Sequence, residues 1–389
     1  MRQISTVIEI GTSKIVCIMS QKGQFDESHI LGSAVKSYAG YKNKKWLDKK
    51  GIAPAIIGAI RAAEQQAGKK CKYVHIGIPA DFTKVVCSNE SLEFSGYKTV
   101  TQADIEKLYK LAKQKVLDKE HTIIHVAPIG FKIDNARKTM EPVNQKANKL
   151  SATVSFIMVE KWLCAAISKM LESKGYTVGT FISSSYATSM KYISQQKRDT
   201  GAIMLDIGDK STTVAIAKGD GLLFHQAISV GGANITNDIV SVLGLKQELA
   251  EELKKRSIYG LSLSKDDFYE VCDKKSCKFE RYPARQVQNI IEARLYQILG
   301  VINNALEKSD CNIPDYVPIF VSGGTASMRG IREFIQKYTG RNTNLVQPQS
   351  TCFNQPAYAS ALSVTDMALD AQQEEKLSVF DSLKKLFDK

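Results

Sequence analysis

The chain has 389 residues, 43% of them hydrophobic and 24% charged, which are the proportions of a globular protein with two or three domains. Its eight scattered cysteines lack metal-ligand spacing and no apolar run approaches the ~20 residues of a membrane span, which excludes a disulfide scaffold, a cysteine–metal site and a transmembrane helix. The formal net charge of +13 leaves two interpretations open: an anionic partner, or basic residues spread over a solvated surface.

The N-terminal stretch, residues 5–19, predicts a β-hairpin whose turn is suited to a phosphate. It reads Ser-Thr-Val-Ile-Glu-Ile-Gly-Thr-Ser-Lys-Ile-Val-Cys-Ile-Met, so two apolar β-rich runs flank an acidic residue, a glycine and two hydroxyls. Backbone N–H groups and hydroxyls at such a turn donate hydrogen bonds to phosphate oxygens, and a carboxylate can orient water around a divalent cation.

The predicted secondary structure changes near residue 83. Before it, a basic loop at Gly40–Gly51 leads into a predicted helix. After it, strand-like runs surround a helix that begins with Thr101 as N-cap and Asp104 as its capping-box partner. These runs predict a small α+β insertion at residues 83–160.

Residues 201–218 repeat the pattern of the first hairpin. Apolar β-rich runs at Ala202–Leu205 and Val214–Ala217 flank a polar turn that carries Asp206, Gly208 and several hydroxyls. Two phosphate-type hairpins about half a chain apart predict duplicated halves that face each other across a cleft, with a nucleotide between them.

Two later segments place paired glycines before a predicted helix. They are Gly231-Gly232 and Gly323-Gly324, and such glycines let the backbone pass close to an anion or a sugar. Between them, Glu280–Leu306 has apolar residues at helical spacing, which predicts one long helix.

Residues 377–389 predict an amphipathic helix after a polar linker at residues 366–376. Apolar side chains occupy one half of the helical wheel, and the segment is too short to span a bilayer. We expect this helix to lie flat on a membrane, the alternative being a helix docked on its own domain. The predicted membrane-contacting residues are Leu377, Phe380, Leu383, Leu386 and Phe387.

The order of these motifs resembles the bacterial cell-division protein FtsA, a family of the actin-like ATPase superfamily. The resemblance rests on Glu9-Ile-Gly-Thr-Ser-Lys14, on the position of the insertion, and on Val230-Gly-Gly-Ala-Asn-Ile-Thr-Asn-Asp-Ile239, and it covers essentially the whole chain. It implies an α/β actin-like ATPase fold, in which two ribonuclease-H-like halves surround a nucleotide cleft and a small α+β subdomain is inserted. The implied domains are 1–82 and 161–200 for domain 1, 83–160 for the inserted subdomain, 201–365 for domain 2, 366–376 for the linker and 377–389 for the membrane-targeting helix.

The resemblance implies ATP and Mg²⁺ as cofactors. The first turn would cradle the phosphates, Asp206 would be the metal ligand, and the glycine pairs would line the sugar and the adenine. For Glu251 and Lys254, a surface ion pair is the alternative to a contact with the nucleoside. The implied ATP-binding residues are Gly11, Thr12, Ser13, Lys14, Asp206, Gly208, Lys210, Ser211, Gly231, Gly232, Glu251, Lys254, Gly323 and Gly324.

The second turn departs from the family's pattern Asp-x-Gly-Gly-Gly-Thr-x-Asp. Asp209 and Lys210 replace two glycines, Lys210 is expected to point at the phosphates, and Thr213 replaces the closing Asp. The stretch at residues 183–187 offers no Glu or Gln to position an attacking water. We therefore expect ATP binding with weak or absent hydrolysis, and the altered turn favours a divergent paralogue.

The resemblance implies a function in septum formation. The protein would polymerise on the cytoplasmic side of the cell membrane, contact anionic lipid, and tether the C-terminal tail of the tubulin-like division protein FtsZ, with no nucleic-acid partner. Arg285, Asn289 and Arg294 on one polar helix face are candidates to grip that acidic tail, the alternative being a solvated helix face.

Two other functions stay open. One is a PilM-like scaffold of a membrane-associated assembly machine, and the other is a small-molecule kinase of the same superfamily. A kinase would need a carboxylate base near the γ-phosphate, and we find no isolated Asp in the first half placed for this role.

Overall fold

The computed structural model describes residues 4–23, 28–39, 41–42, 45–46, 49–134, 137–260, 263–273 and 278–372. The strands are β1 (Ile4–Ile10), β2 (Lys14–Lys22), β3 (Ser28–Ser37), β4 (Tyr41–Lys42), β5 (Lys45–Trp46), β6 (Tyr73–Ile78), β7 (Thr83–Thr99), β8 (His121–Ile133), β9 (Arg137–Thr139), β10 (Lys146–Glu160), β11 (Thr177–Ser183), β12 (Ala202–Ile207), β13 (Thr212–Lys218), β14 (Gly221–Ile228), β15 (Phe268–Asp273), β16 (Lys278–Pro283), β17 (Ile319–Ser322) and β18 (Thr343–Leu345). The helices are α1 (Lys49–Ala67), α2 (Gln102–Val116), α3 (Lys161–Glu172), α4 (Ser184–Tyr192), α5 (Gln195–Thr200), α6 (Gly232–Leu243), α7 (Gln247–Arg256), α8 (Ala284–Glu307), α9 (Ile331–Thr339) and α10 (residues 359–372).

Two five-stranded sheets have the same topology. The first is ordered β3-β2-β1-β6-β11 and the second β14-β13-β12-β17-β18. In each sheet the central strand pairs antiparallel with the strand that follows it through a turn, and parallel with a strand that returns after a helical crossover. The predicted duplication of the chain into two α/β halves is therefore confirmed.

The central strands are apolar on both faces because both faces of each sheet are covered. In β1, Ile8 packs with helices α1 and α3, whereas the adjacent Val7 packs with α4 and α10. In the second sheet, Ile203 and Leu205 belong to a core that includes the long helix α8. These two cores hold the hairpin turns at the edge where the halves meet.

The insertion is a four-stranded sheet, ordered β7-β10-β8-β9, with α2 packed on one face. Helix α2 begins with the predicted capping pair, in which the Thr101 backbone N–H donates to Asp104 Oδ2 at 2.9 Å. The opposite face of the sheet contacts the second half, where Ser155 Oγ donates to the Leu222 carbonyl at 2.7 Å. The insertion therefore bridges the half from which it emerges and the half that follows.

Helix α10 crosses from the second half back to the first sheet. Val364 and Ala368 pack against Val7, and Gln372 Nε2 lies 2.7 Å from His75 Nε2. The predicted linker differs from the structure over residues 366–372, because these residues continue a partly buried helix. The predicted membrane helix at 377–389 lies outside the described residues, among which no helix is long and apolar enough to cross a membrane.

Candidate functional site

A cleft of about 1260 Å³ lies between the two five-stranded sheets, with the β1–β2 turn on one side and the β12–β13 turn on the other. Most of the residues predicted for ATP binding line it, although they come from five separate segments of the chain. Those residues are Gly11, Thr12, Ser13, Lys14, Asp206, Gly208, Ser211, Gly232, Glu251, Lys254, Gly323 and Gly324. The two others, Lys210 and Gly231, make contacts of a different kind.

The two turns are closed in the same way. The Gly11 N–H donates to the Lys14 carbonyl at 2.9 Å, and the Gly208 N–H donates to the Ser211 carbonyl at 3.0 Å. A Cβ atom on either glycine would lie 3.0 Å from that carbonyl oxygen. Each turn therefore brings its backbone into tight apposition at the cleft, as an anion-binding turn requires.

Two buried carboxyl groups face the cleft from equivalent positions, each two residues before its turn glycine. Ser184 Oγ donates to Glu9 Oε2 at 2.9 Å, and Ser322 Oγ donates to Asp206 Oδ2 at 3.0 Å. Burial raises the pKa of Glu9 to about 7 and also raises the pKa of Asp206. Sequence reasoning assigned a metal role to Asp206 alone, although the repeat of the hairpin pattern marked Glu9 as its counterpart.

This pair of carboxyl groups fits a magnesium ion that is also bound by phosphate. No group of three or more metal-ligating His, Cys, Asp or Glu side chains occurs among the described residues. Magnesium in nucleotide sites is commonly held by only one or two carboxylates, with substrate phosphates and water completing the octahedron. The donor set at the cleft is of that type.

Lys14 supplies positive charge at the first turn. Its Nζ lies 4.1 Å from the ring centre of Tyr358, a cation–π contact. Burial lowers the pKa of Lys14, and attraction to Asp206, Asp209 and Glu9 opposes that shift. A partly desolvated ammonium among acids is suited to meeting the oxygens of a phosphate.

Gly231 supports the second turn rather than lining the cleft as predicted. A Cβ atom on Gly231 would lie 2.6 Å from the Gly208 carbonyl oxygen and 2.7 Å from that of Asp209. The first turn of α6 caps the same two carbonyls, since the Gly232 N–H donates to Gly208 at 2.9 Å and the Ala233 N–H donates to Asp209 at 2.8 Å. The glycine pair is thus needed for close approach between α6 and the turn.

Glu251 and Lys254 of α7 form an ion pair against the start of α6, in which Lys254 is buried and Glu251 is about one-third exposed. Lys254 Nζ lies 2.5 Å from Glu251 Oε2 and donates to Thr236 Oγ1 at 2.8 Å and to the Gly232 carbonyl at 3.2 Å. Burial raises the pKa of Glu251, but the Lys254 ammonium and the Thr236 hydroxyl hold that pKa below its ordinary value. The pair borders the cleft beside Gly232.

Gly323 adopts a conformation that other residues avoid. Its φ is 91°, and a Cβ atom there would lie 2.6 Å from Asp206 Oδ1. Gly324, in contrast, has open space around its Cβ position and begins the 3₁₀ turn Gly324–Ser327. Gly323 therefore allows the close approach of Asp206, whereas Gly324 leaves open space in the cleft.

Lys210 does not point at a phosphate position, contrary to the sequence-based expectation. Its Nζ donates to the Tyr41 carbonyl at 3.3 Å, and its backbone N–H donates to Thr12 Oγ1 at 3.2 Å. Both contacts cross from the second half to the first. Lys210 therefore links the two turns.

The expectation that Arg285, Asn289 and Arg294 share one polar face is also corrected. Arg294 is held by Asp238 of α6, with Nε 2.5 Å from Oδ2 and Nη2 2.6 Å from Oδ1. Arg285 and Asn289 are exposed. Nine residues at 100° each place Arg294 on the side of α8 opposite Arg285, so the three side chains do not form one gripping surface.

Two family models match the chain. A model described as cell division protein FtsA matches residues 203–363, and a model described as the SHS2 domain inserted in FTSA matches residues 83–158. The cell division protein FtsA of Streptococcus pneumoniae serotype 2 is 26% identical over 368 residues, which cover 93% of this chain and 79% of that protein. FtsA of Bacillus subtilis strain 168 is 24% identical over 365 residues, which cover 93% of this chain and 82% of that protein.

Solved structures share the fold at lower identity. The PilM–PilN type IV pilus biogenesis complex aligns with a TM-score of 0.64 and 15% identity, covering 95% of this chain and 99% of that chain. MreB 5 of Spiroplasma citri bound to AMPPNP aligns with a TM-score of 0.53 and 13% identity, covering 96% and 98%. These likenesses confirm the actin-like fold predicted for the two halves.

Proposed function

Because the chain belongs to the FtsA family of cell-division proteins, within the actin-like ATPase superfamily, we propose that it binds Mg²⁺–ATP in the cleft between its halves. One observation carries the proposal. Two turns with the same closing hydrogen bond, each preceded by an acid at the same position, face each other across the cleft. A polyanion with its cation, placed between those turns, would meet donors on both sides.

Each lining residue then has a task in binding. The Gly11–Lys14 turn and Ser211 would hold the phosphates, while Asp206 and Glu9 would orient the magnesium ion or its water. Lys254 and Glu251 would fix the sugar side beside Gly232, and the open space at Gly324 would take the base. Magnesium bound there would neutralise phosphate charge.

We propose that hydrolysis is weak or absent. The helix that returns to the cleft brings hydroxyls, Ser184, Ser185 and Thr188, and a neutral hydroxyl is a poor acceptor for the proton of an attacking water. Glu9 stands nearby, but burial raises its pKa and Ser184 already donates to it. Nucleotide binding would therefore hold the halves together rather than drive rapid turnover.

We further propose that the protein polymerises on the cytoplasmic side of the membrane and tethers FtsZ. Residues 377–389 would anchor it to lipid through the apolar side of a helix, which binds weakly alone and gains avidity in a polymer. The exposed Arg285 and Asn289 of α8 would contact the acidic tail of FtsZ. The pilus-scaffold alternative is not carried forward, because the likeness to PilM–PilN is one of fold.

Calorimetric titration with Mg²⁺ and a non-hydrolysable ATP analogue tests the nucleotide proposal. Asp206→Asn should weaken binding by roughly 10- to 100-fold, the range for losing a charged hydrogen-bonding partner. The matched control is Asp199→Asn, an exposed carboxylate outside the cleft, which should bind like the unaltered chain. The absence of binding by the unaltered chain would reject the nucleotide proposal.

Flotation of the full chain with vesicles tests the membrane proposal. The unaltered protein should float with vesicles that contain phosphatidylglycerol, and the double variant Phe380→Glu, Phe387→Glu should not. If the double variant floats equally well, residues 377–389 are not the anchor.

A further inference from the structure

We propose that the end of the first half farthest from the nucleotide cleft is a basic face that contacts anionic lipid headgroups. This face, called the exit face, consists of the exposed residues Lys69, Lys72, Tyr73 and Lys174 around the point where the chain leaves α10. The inference rests on the proposed membrane attachment of residues 377–389. It adds that the folded body itself takes part in binding the membrane.

Helix α10 runs along β6 away from the cleft. A Cβ atom on Gly77 would lie 3.2 Å from Val364 Cγ2 and 1.9 Å from Glu9 Oε2, so the first half of the helix lies at the cleft end of β6. Two turns later, Gln372 lies beside His75, nearer the beginning of the strand. The next residue of β6 on that face is Tyr73, which is 53% exposed.

Two polar contacts fix the position of the C-terminal end of α10. His75 lies 2.8 Å from Thr180 Oγ1 through Nδ1 and 2.7 Å from Gln372 through Nε2, so its ring joins α10 to the sheet. Lys22 forms an ion pair with Asp370 at 2.7 Å, close to the end of the described chain. Gln372, the last described residue, therefore lies at a defined position next to the beginning of β6.

The lysines of the exit face come from two adjacent turns. Lys69 and Lys72 precede β6, Lys174 precedes β11, and the Thr177 N–H donates to the Lys72 carbonyl at 2.8 Å. Within the described part of the chain, none of the three has an ion-pair partner, whereas the neighbouring Lys70 pairs with Glu64 at 2.9 Å. Glu172 and Asp370 are exposed acids in the same region, and Asp370 is paired with Lys22.

An exposed tyrosine among lysines is typical of a surface at the membrane interface. Lys72 Nζ lies 5.6 Å from the ring centre of Tyr73, so the aromatic ring and the ammonium are side by side. Tyrosine is favoured at the headgroup level, and lysines near an anionic leaflet each add to attraction.

The short segment between α10 and the predicted membrane helix favours lipid over a soluble acidic partner of the exit face. Only residues 373–376 separate Gln372 from the predicted membrane helix, and the five Cα–Cα steps from Gln372 to Leu377 reach at most about 18 Å. A helix lying at the headgroups therefore holds the exit face close to the membrane. Its lysines then stand within about two Debye lengths of the lipid charges, about 8 Å each at physiological ionic strength.

The test compares two triple variants of the full chain on vesicles made of equal parts phosphatidylglycerol and phosphatidylcholine. The first variant is Lys69→Gln, Lys72→Gln, Lys174→Gln. The matched control removes the same charge from α2, at the exposed Lys107, Lys110 and Lys113. At low salt, the exit-face variant should bind roughly 10- to 100-fold more weakly than the unaltered chain, and added salt should reduce that difference.

Each outcome separates the exit face from the anchor. Equal binding by the exit-face variant and the unaltered chain overturns the inference, while loss in the Phe380→Glu, Phe387→Glu variant still supports membrane attachment. An equal loss in the α2 control also overturns it, because net charge alone would then be responsible. If the unaltered chain binds no vesicles, the proposed attachment and this inference fail together.

Discussion

The two turns at the cleft share a closing hydrogen bond but are supported by different neighbours. The first is held within its own half, where the Tyr38 hydroxyl donates to the Gly11 carbonyl at 2.6 Å and the Tyr38 N–H donates to the Ser13 carbonyl at 3.0 Å. The second is held by the N–H groups at the start of α6.

The second turn carries Asp209 and Lys210 where the resemblance implies glycines. Neither Asp209 nor Lys210 has a positive φ, so neither needs the conformational freedom of glycine. A small residue is required at Gly231, which lets α6 approach the turn. Equivalent positions of the two turns can thus carry different residue types when a neighbouring helix stabilises the backbone of the turn.

Gly231→Ala should lower stability more than any other single substitution at the two turns. The added Cβ would collide with two backbone carbonyls of the second turn, and backbone cannot move aside as a side chain can. We expect urea unfolding to show a loss of about 3 kcal/mol and ATP binding to weaken with it.

Gly58→Ala is the matched control for that variant. Its Cβ would meet no atom within 4 Å in the interior of α1, so it should leave stability unchanged or raise it by up to about 1 kcal/mol. If the two variants unfold alike, α6 does not support the second turn as described.

The two lysines of the turns should differ in their effect on ATP affinity. Lys14→Gln should weaken binding of a non-hydrolysable analogue by roughly 10- to 100-fold, because a charged donor is lost at the phosphates. Lys210→Gln should cost less, since Lys210 Nζ donates to the Tyr41 carbonyl. Equal losses in calorimetry would contradict the difference between the turns and restore the expectation that Lys210 reaches phosphate.

Glu9 should make stability depend on pH in the absence of nucleotide. Burial raises its pKa from 4.5 to about 7, so the folded protein retains a proton that the unfolded chain releases in this window. Stability contributed by the protonated group is therefore fully present below pH 4.5 and is lost as the pH rises through about 7.

Glu9→Gln removes this titration. Its free energy of unfolding should fall less than that of the unaltered chain across this window, by about 1–3 kcal/mol. Glu106→Gln, an exposed control, should follow the unaltered chain. Parallel pH profiles for Glu9→Gln and the unaltered chain would show that Glu9 is not protonated in the folded cleft.

The smallest effect on stability is expected for the ion pair that joins α8 to α6. Arg294→Ala removes a half-buried ion pair with Asp238 and should lower stability by about 1 kcal/mol. A double-mutant cycle with Asp238→Ala would measure the coupling energy, and a coupling of zero would show that the pair does not stabilise α6.

For the proposed contact with the acidic tail of FtsZ, Arg285→Glu should reduce binding more than Arg294→Glu does.

The sequence by itself determined the features that local patterns encode. Strand, turn and strand recur at residues 5–19 and 201–218 because apolar runs and turn residues specify a hairpin over short distances. The capping pair Thr101 and Asp104 and the insertion at residues 83–160 were predictable for the same reason. Seven of the residues expected at the cleft lie on the two hairpins and line it, whereas Lys210 of the second turn does not.

Only the tertiary structure decided which way the polar side chains turn and what they contact. Lys210 turns to Tyr41, Arg294 pairs with Asp238, and Gly231 packs on the second turn, each through residues distant in sequence or in another element. Helix α10 extends through residues 366–372 because the first sheet buries part of it, although a linker was predicted to begin at Asp366. Such contacts depend on packing between elements, and no local pattern of hydrophobicity or turn chemistry records them.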